Sequence, residues 1–280
     1  MEIAVENSKG ERLELKEEYK VVDVDGLTPA GATINTNKVA TVDGEYFNSS
    51  YVNKKNIVLT IVPEGDSEKA RIELYRYFKP KYPIKVYFKT KYRNVYIEGY
   101  VETMEGGLYT KKQSFQVSIL CPRPFFFSAD KNVQMEQEAE KRSFVFPFSI
   151  EEDEGIIISE IIVDKKQEFF NEGRETGITI ELIARGTVIN PVIYNRTTGQ
   201  KFGLKVRMEK GEKIKIDTRT GKKTVYLLDI EGSFNILNKI QKDSKWIILT
   251  EGKNILSYSC EYGENNLKIS YGLETIYEGI

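Results

Sequence analysis

The segment Gln113–Ser128, QSFQVSILCPRPFFFS, constrains the fold of this chain more than any other. Its apolar residues Phe115, Val117 and Ile119 fall at every second position, the period of a strand with one buried face. Pro122 and Pro124 then withhold two N–H groups from any ladder, so pairing must stop there or move to an edge. Phe125, Phe126 and Phe127 follow where a surface loop is normally polar. Such a triplet needs an apolar partner, which is either the core of its own chain or another subunit. We take Phe125, Phe126 and Phe127 as candidate interface or interdomain anchors, with burial inside one subunit as the equal alternative. The segment therefore marks an expected domain border at Ser128 and a contact surface together.

The bulk properties remove several classes of function. The chain has 280 residues, room for one large or two ordinary domains. Charged residues make up 30%, yet the net charge is only -1, so the basic excess of a general nucleic-acid or membrane-surface binder is missing. No apolar run reaches the length of a bilayer span. The opening Met1–Asn7 lacks the basic and long apolar regions of a signal peptide, and folding in a cytoplasm is expected. The two cysteines, Cys121 and Cys260, stand outside any CxxC spacing and read as buried free thiols rather than a zinc or redox pair. There is no histidine, which removes His-based triads and His metal sites and the usual general base near neutral pH.

The organisation reads as mainly β. Ile57–Val62 is an apolar run ended by the turn residues Pro63-Glu64-Gly65-Asp66. Asp66 or Ser67 is placed to cap a helix that runs through Phe78 and is stopped by Pro80. Ala70, Leu74 and Phe78 lie on one face of it. Ile84–Phe88 and Arg93–Glu102 resume β alternation, and Gly99 inside the second points to a bulge or a close backbone approach. Ala129–Arg142 is a polar linker, within which Gln134–Lys141 is open to a short helix. Ile178–Leu182 and Lys213–Asp217 then alternate strictly, and turn pairs recur at Thr198-Gly199, Lys210-Gly211, Thr220-Gly221, Glu251-Gly252 and Tyr262-Gly263. Antiparallel strands joined by such turns give a sandwich and exclude a doubly wound nucleotide fold. The expected domains are thus 1–128 and 143–280, with 129–142 between them.

No constellation of residues rises to a catalytic or metal site. The acidic run Glu151–Glu154 lacks the alternating ligand spacing of a calcium loop and reads as a solvated turn. Asp23-Val24-Asp25-Gly26 alternates better, but no later Glu completes an EF-hand, so it reads as a turn. The nucleotide, nucleophile-elbow and zinc-protease patterns are absent. The 42 acidic residues offer no pair marked out for glycoside hydrolysis. Asn48-Ser49-Ser50 and Asn195-Arg196-Thr197 match glycosylation sequons and read as turn residues without a secretory signal. The aromatic lean, 17 Tyr and 14 Phe, suits half-buried strands and also subunit interfaces. Trp246, the largest stacking surface, sits in Lys245–Leu249, which reads as a core strand.

Several segments, in order, carry a resemblance. They are Arg93–Glu102 (RNVYIEGYVE), Phe115–Phe127 (FQVSILCPRPFFF), Gly186–Asn195 (GTVINPVIYN), Gly211–Thr218, Ser244-Lys245-Trp246, Gly252-Lys253-Asn254 and the closing Tyr277–Ile280. Together they resemble the distal tail proteins (Dit, the siphovirus-type tail component) of phages and prophages of Gram-positive bacteria. In Gly211–Thr218 the chain departs from the family's usual Gly-Asp.

The resemblance implies a mainly β chain of two domains: an N-terminal β-sandwich or split-barrel-like domain with one helix, and a C-terminal galectin-like β-sandwich. It implies a non-enzymatic hub that assembles as a homo-hexameric ring through the N-terminal domains. The hub would connect the tail tube and tape-measure end to the tail-associated lysin or to fibre and receptor-binding proteins. No cofactor, metal, nucleic acid or membrane is implied, and the expected location is the virion tail tip, assembled in the host cytoplasm. An intact phage, a prophage remnant and a tail-like bacteriocin would use the same hub. The alternative is a lectin-like module recognising cell-wall saccharide through the second half. The absent histidine and the core-like Trp246 count against it.

Overall fold

The computed structural model describes residues 1–107, 113–129 and 166–280, together with the strand 133–138. The acidic run Glu151–Glu154 and the linker positions 139–142 lie outside the described residues. The chain forms two compact units, one of Met1–Lys131 with Ile276–Ile280, the other of Asn132–Thr275. The closing residues 276–280 thus belong to the first unit and not to the second half that precedes them in sequence.

In the first unit the strands are β1 (Glu2–Asn7), β2 (Arg12–Glu14), β3 (Tyr19–Asp25), β4 (Ala32–Lys38), β5 (Glu45–Val52) and β6 (Lys55–Pro63), then helix α1 (Ser67–Tyr77), then β7 (Pro83–Lys89), β8 (Asn94–Gly106), β9 (Phe115–Cys121) and β10 (Phe126–Ser128). The main sheet is antiparallel in the order β2-β1-β7-β8-β9-β6-β3. Asp23-Val24-Asp25, expected as a turn, is the end of β3, held extended by pairing with Thr60, Leu59 and Val58 of β6. Alternation explains its core: Ile57, Leu59 and Ile61 of β6 are buried while the residues between them are not, and Phe115, Val117 and Ile119 of β9 behave alike.

Helix α1 starts where the Asp66 carboxylate accepts from the N–H groups of Glu68 and Lys69, at 3.1 and 3.2 Å. It ends where the N–H of Phe78 bonds to Leu74 O at 2.9 Å, and its buried Ala70 and Leu74, with Phe78, join the sheet core.

The prolines act as their chemistry requires. β9 lies along the far half of β8, with Tyr100 opposite Leu120, and stops at Cys121. After Pro122-Arg123-Pro124 the chain rejoins the same edge of β8 as β10, with Phe127 opposite Tyr96. Gly99 of β8 lies beside this jog. A Cβ there would stand 2.7 Å from Ile119 Cγ2 and 2.8 Å from Cys121 Sγ. Close approach is therefore what demands a glycine here; the register shift of β8 against β9 falls further on, between Val101 and Thr103.

The second unit contains β11 (Val133–Glu138), β12 (Lys166–Asn171), β13 (Thr176–Gly177), β14 (Thr179–Ala184), β15 (Val188–Ile189), β16 (Val192–Asn195), β17 (Gln200–Gly203), β18 (Arg207–Met208), β19 (Lys213–Asp217), β20 (Thr224–Leu228), β21 (Ser233–Asn235), β22 (Ile248–Leu249), β23 (Gly252–Ser259) and β24 (Leu267–Leu273). The last strand of the chain, β25 (Ile276–Tyr277), belongs to the first unit. Where a helix was open for Gln134–Lys141, the described part is the strand β11, drawn out by pairing with β24 from Val133↔Leu273 to Glu138↔Lys268. Long-range pairing here overrides local helix propensity.

A six-stranded sheet (β11-β24-β14-β19-β20-β21) and a four-stranded one (β12-β23-β16-β17) contribute to one core. Ile180, Leu182, Ile214, Ile216 and Ile269 come from the first, and Phe169, Ile193, Phe202 and Leu256 from the second. The edge-to-face contact of Phe169 with Tyr271, centroids 5.2 Å apart, joins the two sheets. The glycines of the five turn pairs, Gly199, Gly211, Gly221, Gly252 and Gly263, all have positive φ, which explains why those dipeptides punctuate the strands.

Candidate functional site

Exposed aromatic and aliphatic side chains of the first unit gather on one element. Among the described residues, strands β4 and β5 pair only with each other. Ile34, Tyr46, Phe47 and Tyr51 are all more than half exposed, and Val39, Val42 and Val52 add to them. The register places Val52 opposite Ala32 and Phe47 opposite Thr36, with Tyr51 opposite Thr33 and Tyr46 opposite Asn37 on the alternate positions. Both faces of the hairpin therefore carry apolar groups.

Few cross-strand side-chain bonds stiffen it. Asn35 Nδ2 donates to Ser49 Oγ at 3.0 Å, the Thr36 hydroxyl donates to Glu45, and at the base Thr33 Oγ1 donates to Asn53 Oδ1 at 2.8 Å. An isolated two-stranded ribbon is marginal in water, and contiguous exposed apolar surface of this kind marks an interaction site. The sequence reading took only Asn48-Ser49-Ser50 from this segment, as turn residues; they lie instead within β5, where Ser49 and Ser50 pair with Asn35 and Ile34 of β4. The signal was there: Asp43-Gly44 is a strong hairpin pair, and Tyr46, Phe47 and Tyr51 follow it.

The phenylalanine triplet is placed differently. Phe126 and Phe127 are buried in the first unit, and Phe125 is half-buried. Phe126 meets Phe88 edge-on with centroids 6.0 Å apart, and the Lys55 ammonium lies 4.4 Å from its centroid. Phe127 packs on Tyr96 at 5.6 Å and is covered by the Arg123 guanidinium at 4.8 Å. Arg123 itself pairs with Glu98 at 2.5 Å. Two of the three candidate anchors therefore face the core of their own chain, so a contribution of the triplet to a contact between subunits rests on Phe125.

Beneath them, Cys121 is fully buried, and burial pushes its thiol up to about 12 although the nearby Lys55 charge pulls the other way. Burial likewise lowers the Lys55 ammonium from its ordinary value.

In the second unit the outer face of β14, β19, β20 and β24 forms a concavity that includes Glu181, Lys215, Asp217, Tyr226 and Ser270. Asp217 is engaged by Arg219 at 2.7 Å, and Glu274 holds the same guanidinium at 2.9 Å, so these carboxylates form a structural ion cluster. Trp246 packs on Phe202 with centroids 5.0 Å apart, but it is only half-buried and precedes the short strand β22 instead of lying within a core strand. Among the described residues no group of three or more His, Cys, Asp or Glu stands together so as to hold a metal ion.

Residues 173–273 match the family model of the siphovirus-type tail component, C-terminal domain. The chain resembles the phage distal tail proteins. Its fold is similar to the crystal structure of SPP1 Dit, described as a paradigm of the hub adsorption apparatus in phages that infect Gram-positive bacteria. The TM-score is 0.68 at 12% identity, over 98% of this chain and 99% of that one. It is also similar to chains in two structures of the phage P2 baseplate in its activated conformation. The form with Ca gives a TM-score of 0.57 at 11% identity, and the form with Sr gives 0.54 at 10%, each over 100% of this chain and 99% of that one. No curated protein matches the chain by sequence. At these identities the likeness is one of fold.

The residues that carry the distal-tail resemblance do architectural work. Asn254 is buried and saturated: its Oδ1 accepts from Thr250 N at 3.0 Å, and its Nδ2 donates to Thr250 O at 2.7 Å and Gly252 O at 3.1 Å. Asn195 donates to Ile248 O at 2.7 Å and accepts from Thr197 N at 3.0 Å. Ser244 Oγ accepts from Gly203 N at 3.0 Å. Buried amides of this kind hold turns in place and leave no room for substitution.

Proposed function

We propose that the chain is a non-enzymatic structural hub of a phage or phage-like tail tip, present in the virion and assembled in the cytoplasm of the bacterial host. Copies form a ring, a homo-hexamer by the family resemblance, that connects the tail tube and tape-measure end to the tail-associated lysin or to fibre and receptor-binding proteins. The observation that carries this reading is the likeness to SPP1 Dit across 98% of this chain. The exposed hairpin β4–β5 supports it. Its apolar groups are exposed among the described residues, and a closed ring of identical subunits buries such a surface on every copy.

The test is mass by light scattering together with negative-stain imaging of the purified chain. Ring-sized particles are expected for the wild type, and the triple variant Ile34→Ser, Phe47→Ser, Tyr51→Ser is expected to be a monomer that still unfolds in one cooperative transition. Rings formed equally by that variant would remove the hairpin from the contact. A wild-type chain that stays monomeric even when mixed with tail-tube protein would remove the ring.

A further inference from the structure

Residues 276–280 leave the second unit and are read almost atom by atom by the first. Ile276 pairs with Phe127 and Tyr277 with Phe126. Glu278 O accepts from Lys55 Nζ at 3.1 Å, and the same ammonium donates to Thr28 O at 2.7 Å. Gly279 O accepts from Arg93 Nη1, and the Arg93 guanidinium also lies 4.5 Å from the centroid of the Tyr277 ring. Ile280 N donates to Leu27 O at 3.1 Å, and Tyr277 and Ile280 pack on the first unit's core.

This seat is built rather than incidental. Lys55 is only 4% exposed, and an ammonium so deep is costly unless it is partnered. Its partners are two carbonyls and the Phe126 ring, and one of the two carbonyls comes from the segment itself. At Gly279 the fit is tight: a Cβ would stand 3.1 Å from both Leu27 O and Pro29 Cδ. The seat therefore selects an extended backbone with an aromatic at its second position and glycine at its fourth.

We propose that this seat is a peptide-binding site of the first unit whose ligand is the chain's own segment 276–280, a strap that fastens the outgoing end of the second unit. In sequence the chain passes from the first unit into the second and returns to the first at Ile276. Main-chain pairing supplies the affinity and the Tyr277 and Gly279 positions the selectivity, the logic of strand addition to a sheet edge. The strap does not depend on ring formation, so it stands or falls separately from the hub reading.

The experiment removes residues 276–280 and offers the truncated protein a fluorescein-labelled peptide of the sequence 274–280. Saturable binding to the truncated chain is expected, with recovery of its melting temperature, no binding to the full chain, and none by the Gly279→Val peptide. Failure of the wild-type peptide to bind a folded truncated chain, or equal binding by the Gly279→Val peptide, would overturn the proposal. Should the truncated chain not fold, hydrogen exchange in full-length Arg93→Ala decides. Protection of 276–280 is expected to fall by about tenfold or more while that of β14 stays as in wild type. Unchanged protection would sink the strap.

Discussion

Two aromatic regions of the first unit meet opposite fates. Phe126 and Phe127 are consecutive and look like an exposed apolar plug, yet both are inside; Tyr46, Phe47 and Tyr51 are scattered among polar residues and stand in solvent. The difference lies in what each strand has for neighbours. β10 is flanked by β8 and β25 within its sheet, so its two faces and both edges find partners. Among the described residues, β4 and β5 have only each other. Local hydrophobic density is thus a poor guide to what a chain leaves uncovered; the number of layers available to a strand decides it.

The sharpest way to break this contrast is Phe126→Ala. A fully buried phenylalanine that packs on Phe88 and covers the Lys55 ammonium should lose about 3–5 kcal/mol of stability on truncation. Urea unfolding followed by far-UV circular dichroism measures it. A midpoint equal to wild type would mean that the ring is not part of the core, and the triplet would return as a surface anchor.

The thiols sharpen the same boundary chemically. Cys121 lies in the core cluster that includes Phe126, whereas Cys260 is only partly buried at the edge of the second unit's core. With the Cys121 thiol raised from 9 to about 12, its thiolate fraction at pH 8 falls by about three orders of magnitude, and burial slows access further. Maleimide should label one thiol per native chain and two in urea.

The same shift has an alkaline consequence. Both Cys121 and Tyr87 ionise less readily folded than unfolded, the latter raised from 10 to about 12 by burial and by its hydrogen bond to Glu6. Their contribution is complete below about pH 9 and is lost as pH rises through about 12, so the midpoint of urea unfolding should fall over that range. A flat profile from pH 9 to 11 would contradict the burial of both groups.

Much of the fold was legible because it is local. Strict alternation located β9, β14 and β19, and Asp66 with Pro80 bounded α1 to within a residue. Asp66→Ala should cost about 1 kcal/mol, since two helix N–H groups lose their acceptor. A change below 0.2 kcal/mol would mean that water replaces the cap at no loss. What the sequence concealed is non-local. β11 exists because β24 lies beside it, and the strap 276–280 is two paired residues and three main-chain contacts whose partners sit near Leu27, Lys55, Arg93 and Phe126. No periodicity can announce either. The hairpin falls between the two cases: its turn pair is local, but its exposure depends on the absence of a third strand.

The smallest effect is expected where the exposed surface is largest. Ile34→Ser, Phe47→Ser and Tyr51→Ser each remove side-chain area that is already in water in the single chain, so each should change monomer stability by no more than about 0.5 kcal/mol. Loss of β propensity makes the sign slightly destabilising, greatest at Phe47, which faces Thr36 across the ribbon. Measured on the monomer at low concentration, three near-zero values set against the several kcal/mol of Phe126→Ala would establish that the two aromatic regions differ in kind. A loss above about 2 kcal/mol for Phe47→Ser would mean that the hairpin folds back on its own unit, and the assembly surface would have to be sought elsewhere.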